Sequence, residues 1–118
     1  MYPNWKAVES QINGLVAQSR RAFAPETLLN ARALIRSSHA LYQTPDEIGE
    51  GYWPTIGFHW TELNPDPIEI EIHPDRFELY VLGAGRPAIR SFVSQPDGKV
   101  AADLLAALDL LVPSPQAR

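Results

Sequence analysis

The chain has 118 residues, a net charge of −4, 45% hydrophobic residues and no cysteine. This length is enough for one domain with a hydrophobic core, and the lack of cysteine excludes disulfides, thiolate metal sites and a cysteine nucleophile. No apolar run reaches about 18 residues, and the first residues lack the pattern of a signal peptide. We therefore expect a cytoplasmic protein with no membrane association, and the acidic balance argues against nucleic acid as its partner.

The charges are unevenly distributed along the chain. Residues 1–44 carry a net charge of +3 and residues 45–118 a net charge of −7. The simplest interpretation is a basic helical layer that complements an acidic remainder. A basic helical face that binds an anion or a partner is the alternative.

The first third of the sequence predicts a helical hairpin over residues 4–42. Asn4 can cap a helix over 4–23, in which apolar residues recur at steps of three and four. Pro25 suits the first turn of a second helix over 25–42, since its missing N–H has no partner there in any case. The short link between the two helices favours an antiparallel hairpin.

Residues 43–54 contain several helix and strand breakers and are predicted to form a loop. The loop carries three large apolar residues, Ile48, Tyr52 and Trp53. We expect them to cover the edge of the core; lining a pocket is the alternative.

Residues 55–94 contain four runs in which apolar and polar residues alternate, the pattern of strands with one buried face. Joined by short turns at 64–67, 73–76 and 83–87, they predict an antiparallel meander. Its expected registers place Phe58 opposite Ile70, Ile70 opposite Leu79, and Val81 opposite Ile89.

A third helix is predicted over 99–112, with its start marked by residues 97–98. The fold class is therefore α+β: a four-stranded antiparallel meander with an N-terminal helical hairpin and a C-terminal helix packed on one face.

The polar face of this meander carries the first candidate site. The predicted registers align His59, Glu69, Tyr80 and Arg90 in one row across the sheet. Such a row could bind a small polar ligand, and a histidine beside a carboxylate is also an acid–base pair. The simpler interpretation is a solvated face with ordinary cross-strand pairs.

A second row on the same face is Gly57, Glu71, Glu78 and Phe92, with His73 near the turn. Two directly opposed glutamates repel each other unless a cation lies between them. A metal ion bound with His73 is one possibility, and Arg76 or Arg90 is another. Because no ligand spacing signature is present, the sequence predicts no metal, no cofactor and no catalytic residue.

The outer face and the last strand also form a candidate interface. Tyr80, Arg90 and Phe92 are expected on that face, and the predicted strand 88–94 ends the meander with an unpaired edge. The expected function is therefore a non-enzymatic module that binds another protein or forms a homodimer. A ligand-binding protein or enzyme that uses the first row is the alternative.

A strand ending Trp60-Thr61 is followed by the Ile-Glu-Ile-Glu-Ile run of 68–72, a short turn and Phe-Glu-Leu-Tyr at 77–80. In this pattern residues 25–82 resemble a group of short uncharacterised bacterial proteins. It implies two helices followed by an antiparallel meander with an alternating Ile/Leu-Glu strand. It implies no catalytic residues.

Overall fold

The computed structural model describes residues 2–19, 22–38, 41–62, 66–83, 88–95 and 99–114. The elements in chain order are helices α1 and α2, a five-stranded sheet and helix α3. Their bounds are α1 Trp5–Gln18, α2 Pro25–Ser38, β1 Glu47–Glu50, β2 Ile56–Trp60, β3 Ile68–Ile72, β4 Arg76–Val81, β5 Ala88–Val93 and α3 Ala102–Leu111. The helix start predicted at 97–98 lies outside the described residues, as do residues 64–65 and 84–87 of the turns predicted at 64–67 and 83–87.

The sheet is an antiparallel meander with the order β1-β2-β3-β4-β5. The α+β class and the meander are confirmed, but the number of strands was predicted wrongly. Residues 47–50, assigned to a loop, form strand β1, which pairs with β2 and places Ile48 opposite Phe58. Ile48 is buried and covers the core edge as expected, whereas Tyr52 and Trp53 are 72% and 73% exposed and do not.

The two N-terminal helices begin where the sequence indicates. The Asn4 side chain accepts a hydrogen bond from the Ala7 N–H at 2.8 Å, and Pro25 is the first residue of α2. Both helices are shorter than predicted, since α1 ends at Gln18 and α2 at Ser38. Helix α3 is also shorter than the predicted range 99–112.

The core lies between the apolar face of the sheet and the buried sides of all three helices. The Trp5 ring of α1 lies 6.3 Å from the Phe58 ring of β2. Two buried indoles also hold the segment between α2 and β1. Trp5 donates to the Tyr42 carbonyl and Trp60 to the Gln43 carbonyl, both at 2.9 Å. Two large rings are thereby buried without leaving their N–H groups unsatisfied.

The central registers of the sheet are as predicted. Phe58 lies opposite Ile70, and Ile70 lies opposite Leu79. A slip of one residue would turn every buried side chain of β3 to the outer face, so burial specifies this pairing strongly. None of the described helices is long and apolar enough to span a lipid bilayer.

The register of β5 differs from the prediction by one residue. Val81 pairs with Ala88 rather than Ile89, so Phe92 lies opposite Phe77 in the core. Phe92 is only 6% exposed, whereas Ile89 and Val93 on the other side of the strand are 57% and 72% exposed. The predicted placement of Phe92 on the outer face is therefore wrong.

Candidate functional site

The outer face of the sheet holds part of the first predicted row. His59 lies opposite Glu69, and Glu69 lies opposite Tyr80, as expected. The His59 Nδ1 and Glu69 Oε1 atoms are 3.7 Å apart, and both side chains are about 30% exposed. These two residues form a partly solvated cross-strand pair.

Arg90 does not join this row. It lies opposite Leu79 on the core side of the sheet, and Ile89 takes the place opposite Tyr80. The exposed Arg90 side chain covers Phe92, with its guanidinium carbon 5.0 Å from the ring centroid. The expected row of His59, Glu69, Tyr80 and Arg90 therefore lacks its only permanent positive charge, which makes binding of an anionic ligand there less favourable.

The second predicted row contains a more closely spaced group of ionisable side chains on the same face of the sheet. The carboxylate–histidine cluster consists of Glu71, His73 and Glu78. Glu71 and Glu78 are directly opposed on β3 and β4. The His73 Nε2 atom lies 3.1 Å from Glu71 Oε1 and 2.7 Å from Glu78 Oε1, and the His73 side chain is only 8% exposed. The structure thus brings together the three residues weighed as a metal site from the sequence.

Neighbouring side chains hold the two carboxylates in place. The buried Thr55 hydroxyl donates to Glu71 Oε2 at 2.8 Å, and the Tyr80 hydroxyl donates to Glu71 Oε1 at 3.3 Å. Arg76 donates to Glu78 Oε1 at 3.1 Å and to Asp75 at 2.8 Å. Tyr80 therefore lies opposite Glu69 as the sequence predicted, but its hydroxyl bonds to Glu71 of the cluster.

The backbone around His73 is fixed from two sides. The His73 N–H donates to the Arg76 carbonyl at 2.9 Å across the tight β3–β4 turn. From helix α2, the Asn30 amide donates to the His73 carbonyl at 2.9 Å. Sequence reasoning missed Asn30 because a single polar residue in an amphipathic helix carries no sign of a distant partner.

The negative charge of the cluster acts on Tyr80. Burial and then the charges of Glu78 and Glu71 together raise the pKa of Tyr80 from 10.0 to about 12. The phenol therefore stays protonated at neutral pH and remains a hydrogen-bond donor to Glu71. It is a positioning group here, because a phenol with so high a pKa is a poor general base.

A surface depression adjoins the cluster on the side of β1. Its lining includes Gly51, Tyr52 and Trp53, and the two exposed aromatic rings meet edge to face at 4.7 Å. Gly51 connects the depression to the cluster, since a Cβ atom at this position would lie 1.9 Å from Thr55 Oγ1 and 3.0 Å from Glu71 Oε2.

Comparisons of the chain with protein-family models, with curated proteins and with solved structures give no match. The assignment of function therefore rests on the geometry of the molecule.

Proposed function

We propose that the protein is a non-enzymatic interaction module that self-associates through the edge of β5. The observation that supports this proposal is the exposure of the strand. Five of its six side chains are exposed, and Phe92 is the buried one. Within the described residues, β5 pairs with β4 alone. An edge strand of this length with a single charged side chain is a ready template for another strand.

The outward-facing backbone groups of β5 can be identified from the ladder with β4. The Ser94 N–H donates to the Asp75 carbonyl at 3.0 Å, which directs residue 94 towards β4. In an antiparallel ladder, alternate residues direct both backbone groups to the same side. Ile89, Ser91 and Val93 therefore present their N–H and C=O groups to the open edge.

A second copy of the chain matches this edge in one register particularly well. With Ser91 opposite the partner's Ser91 on a two-fold axis, Ile89 faces the partner's Val93 and all three outward residues are paired. Both apolar side chains lie on the outer face, where they bury each other. Arg90 then faces the partner's Phe92, a pairing that resembles the contact it already makes within its own chain.

The register centred on Arg90 is less favourable. Moving the axis to Arg90 places two guanidinium groups directly opposite each other. Electrostatics therefore favours the register centred on Ser91 over this one.

Cysteine cross-linking tests this arrangement, because the chain has no native cysteine. In the proposed dimer the two Ser91 Cα atoms are about 5.5 Å apart, within disulfide range. The two Ile89 Cα atoms are about 14 Å apart, because they are offset by four residues at about 3.3 Å each along the strands and by about 5 Å across them. We expect Ser91→Cys to form a disulfide-linked dimer under mild oxidation and Ile89→Cys, the matched control, to remain unlinked.

Light scattering on the unmodified chain provides a second measurement. We expect a mass twice the 13.1 kDa of one chain, and a single-chain mass for Ile89→Lys, whose side chain is exposed in the monomer. Leu110→Lys changes an exposed apolar residue on α3 and should leave the dimer intact. A single-chain mass for the unmodified protein, or equal cross-linking at positions 89 and 91, would contradict the proposal.

A ligand-binding function of the outer face is the second candidate. The His59–Glu69 pair, with 3.7 Å between Nδ1 and Oε1, favours this function. The position of Arg90 on the core side of the sheet weakens it, because Arg90 was the expected cation of the row. Native mass spectrometry of the purified protein distinguishes the two. An additional small mass on each chain that disappears in Glu69→Ala supports a ligand at this row, whereas a bare dimer supports the interaction module.

A further inference from the structure

We propose that Glu71, His73 and Glu78 form a binding site for one divalent transition-metal ion, with Zn²⁺ as the favoured ion. The site lies beside the β5 edge, since Glu78 is opposite Ser91 in the β4–β5 ladder, but it does not depend on the interaction function and goes beyond it. It also departs from the expectation of no metal that the sequence supported, because the structure supplies the convergence that sequence spacing did not show.

The first argument is the spacing of the donor atoms. One ligand atom from each of the three residues lies within 4.8 Å of the other two. With metal–ligand distances of about 2.1 Å, neighbouring ligand atoms lie about 3.4 Å apart around a tetrahedral ion and about 3.0 Å apart around an octahedral one. The His73 Nε2 atom lies 3.1 and 2.7 Å from the two carboxylate oxygens, so small outward shifts of these side chains would give the spacing around a bound ion.

The second argument is the imbalance of charge around His73. A single Nε2 atom, on a side chain that is 8% exposed, contacts two carboxylates at once. One ring N–H donates only one strong hydrogen bond, and both glutamates are about four-fifths shielded from water. A dication placed among the three atoms would be coordinated by all of them and would relieve the repulsion between Glu71 and Glu78.

The third argument is that Glu71 and His73 are already held in position. Thr55 and Tyr80 hold Glu71 through its two oxygens, and Asn30 fixes the backbone of His73. Such outer contacts hold metal ligands in position and lower the cost of assembling a site. An ordinary solvated cluster of charged side chains is not usually held by buried residues such as Thr55 and Asn30.

Arg76 is the competing cation. Its Nη2 atom lies 3.1 Å from Glu78 Oε1, the oxygen that also faces His73. Its Nη1 atom is paired with Asp75 at 2.8 Å, so its charge is shared between two carboxylates, and Glu71 is not among them. Removal of Arg76 should therefore strengthen metal binding.

The donor set selects the ion. Imidazole favours Zn²⁺ and other late first-row ions over Mg²⁺ and Ca²⁺, while the two carboxylates provide the negative charge. Three protein ligands leave at least one coordination position for water. We therefore expect Zn²⁺ and Co²⁺ to bind and Mg²⁺ to bind much more weakly.

The test is calorimetric titration of Zn²⁺ and Mg²⁺ into the untagged, chelator-treated full chain at pH 7.5. We expect one Zn²⁺ per chain, a rise in melting temperature, and a loss of affinity of about 10-fold or more in Glu71→Gln and Glu78→Gln. Glu69→Gln is the matched control, since Glu69 lies on the same strand and face and pairs with His59. Arg76→Ala should bind Zn²⁺ more tightly than the unmodified chain.

Two further outcomes would overturn the proposal. The first is no Zn²⁺ binding by the unmodified chain, and the second is an equal loss of affinity in Glu69→Gln and Glu78→Gln. The visible spectrum of Co²⁺ bound to the unmodified chain gives a readout that needs no variant. Bands typical of one imidazole and oxygen ligands support the site, and a spectrum identical to that of aqueous Co²⁺ contradicts it.

Discussion

The amide of Asn30 on α2 donates hydrogen bonds to the carbonyls of His73 and Pro74, at 2.9 and 3.2 Å. These two bonds join the helical layer to the tight turn between β3 and β4. They also fix the backbone of the one histidine that contacts both Glu71 and Glu78. The position of the carboxylate–histidine cluster therefore depends on a helix more than 40 residues away in sequence.

Asn30→Ala should destabilise the fold by about 1–3 kcal/mol, because it leaves the His73 carbonyl without its buried donor. Urea denaturation measures the change. Arg32→Ala, at an exposed position of the same helix, serves as the control and should change stability by less than about 0.5 kcal/mol. Equal effects of the two substitutions would show that the Asn30 bonds contribute nothing to the fold.

Gly51→Ala should destabilise the protein by about 1–3 kcal/mol, since the new Cβ would lie 1.9 Å from Thr55 Oγ1. The hydroxyl can move away only by giving up its bond to Glu71. Gly49→Ala is a matched control on β1, where no atom lies within 4 Å of the added Cβ, and it should be neutral or stabilising by up to about 1 kcal/mol.

The same pair of residues offers a test of the cause. In a Thr55→Ala background the clashing hydroxyl is absent, so the additional cost of Gly51→Ala should fall. A double-mutant cycle by urea denaturation measures this coupling. Strictly additive costs would show that the Gly51 substitution acts through something other than Thr55.

Phe92→Ala and Val93→Ala test the register of β5. Phe92 is buried against Phe77, so its truncation should cost about 3–5 kcal/mol. Val93 is 72% exposed, and its truncation should change monomer stability by less than about 0.5 kcal/mol. Thermal or urea unfolding of the two variants at low protein concentration gives the comparison, and the reverse order of effects would restore the register expected from the sequence.

Tyr80 should make the protein less stable as the pH rises from 10 to 12. Its folded-state pKa is raised to about 12, mainly by burial and then by Glu78 and Glu71, from an ordinary value of 10.0. Between these values the unfolded chain loses the phenol proton while the folded chain keeps it. The unfolded state then binds fewer protons, so the free energy of unfolding falls with rising pH.

Urea denaturation at pH 9 and pH 11 measures this effect, with Tyr80→Phe as the comparison. We expect a smaller fall in stability for the variant, because it has no phenol to ionise at this position. Some decrease should remain, since burial and then Asp109 also raise the pKa of Tyr42. An equal decrease in both proteins would show that the Tyr80 pKa is not raised by folding.

The sequence was sufficient where one physical signal dominated. Asn4 and Pro25 mark helix starts because a capping side chain and a residue without an N–H suit few other positions. The register of β2, β3 and β4 follows from runs in which every apolar residue lies on one face, so that a slip would expose all of them. The opposition of Glu71 and Glu78 follows from the same register.

The local sequence pattern did not predict strand β1 or the register of β5, because it was equally compatible with another arrangement of these segments. Strand β1 has only one large apolar residue, Ile48, so it shows no alternating pattern. Its strand conformation depends on antiparallel pairing with β2. In β5, Ala88 and Phe92 lie on one face and Ile89 and Val93 on the other, so alternation alone does not select the buried side. Packing of Phe92 against Phe77 made that choice.

The sequence by itself therefore determined the α+β class, the positions of the three helices before and after the sheet, and the two registers that pair β2 with β3 and β3 with β4. These depend on periodicity and on residues with strong local preferences. Only the tertiary structure decided the strand number, the face of Arg90 and the partners of Tyr80 and Asn30. Each of these depends on which distant side chains are brought within hydrogen-bonding or packing distance, and no local pattern in the chain encodes that distance.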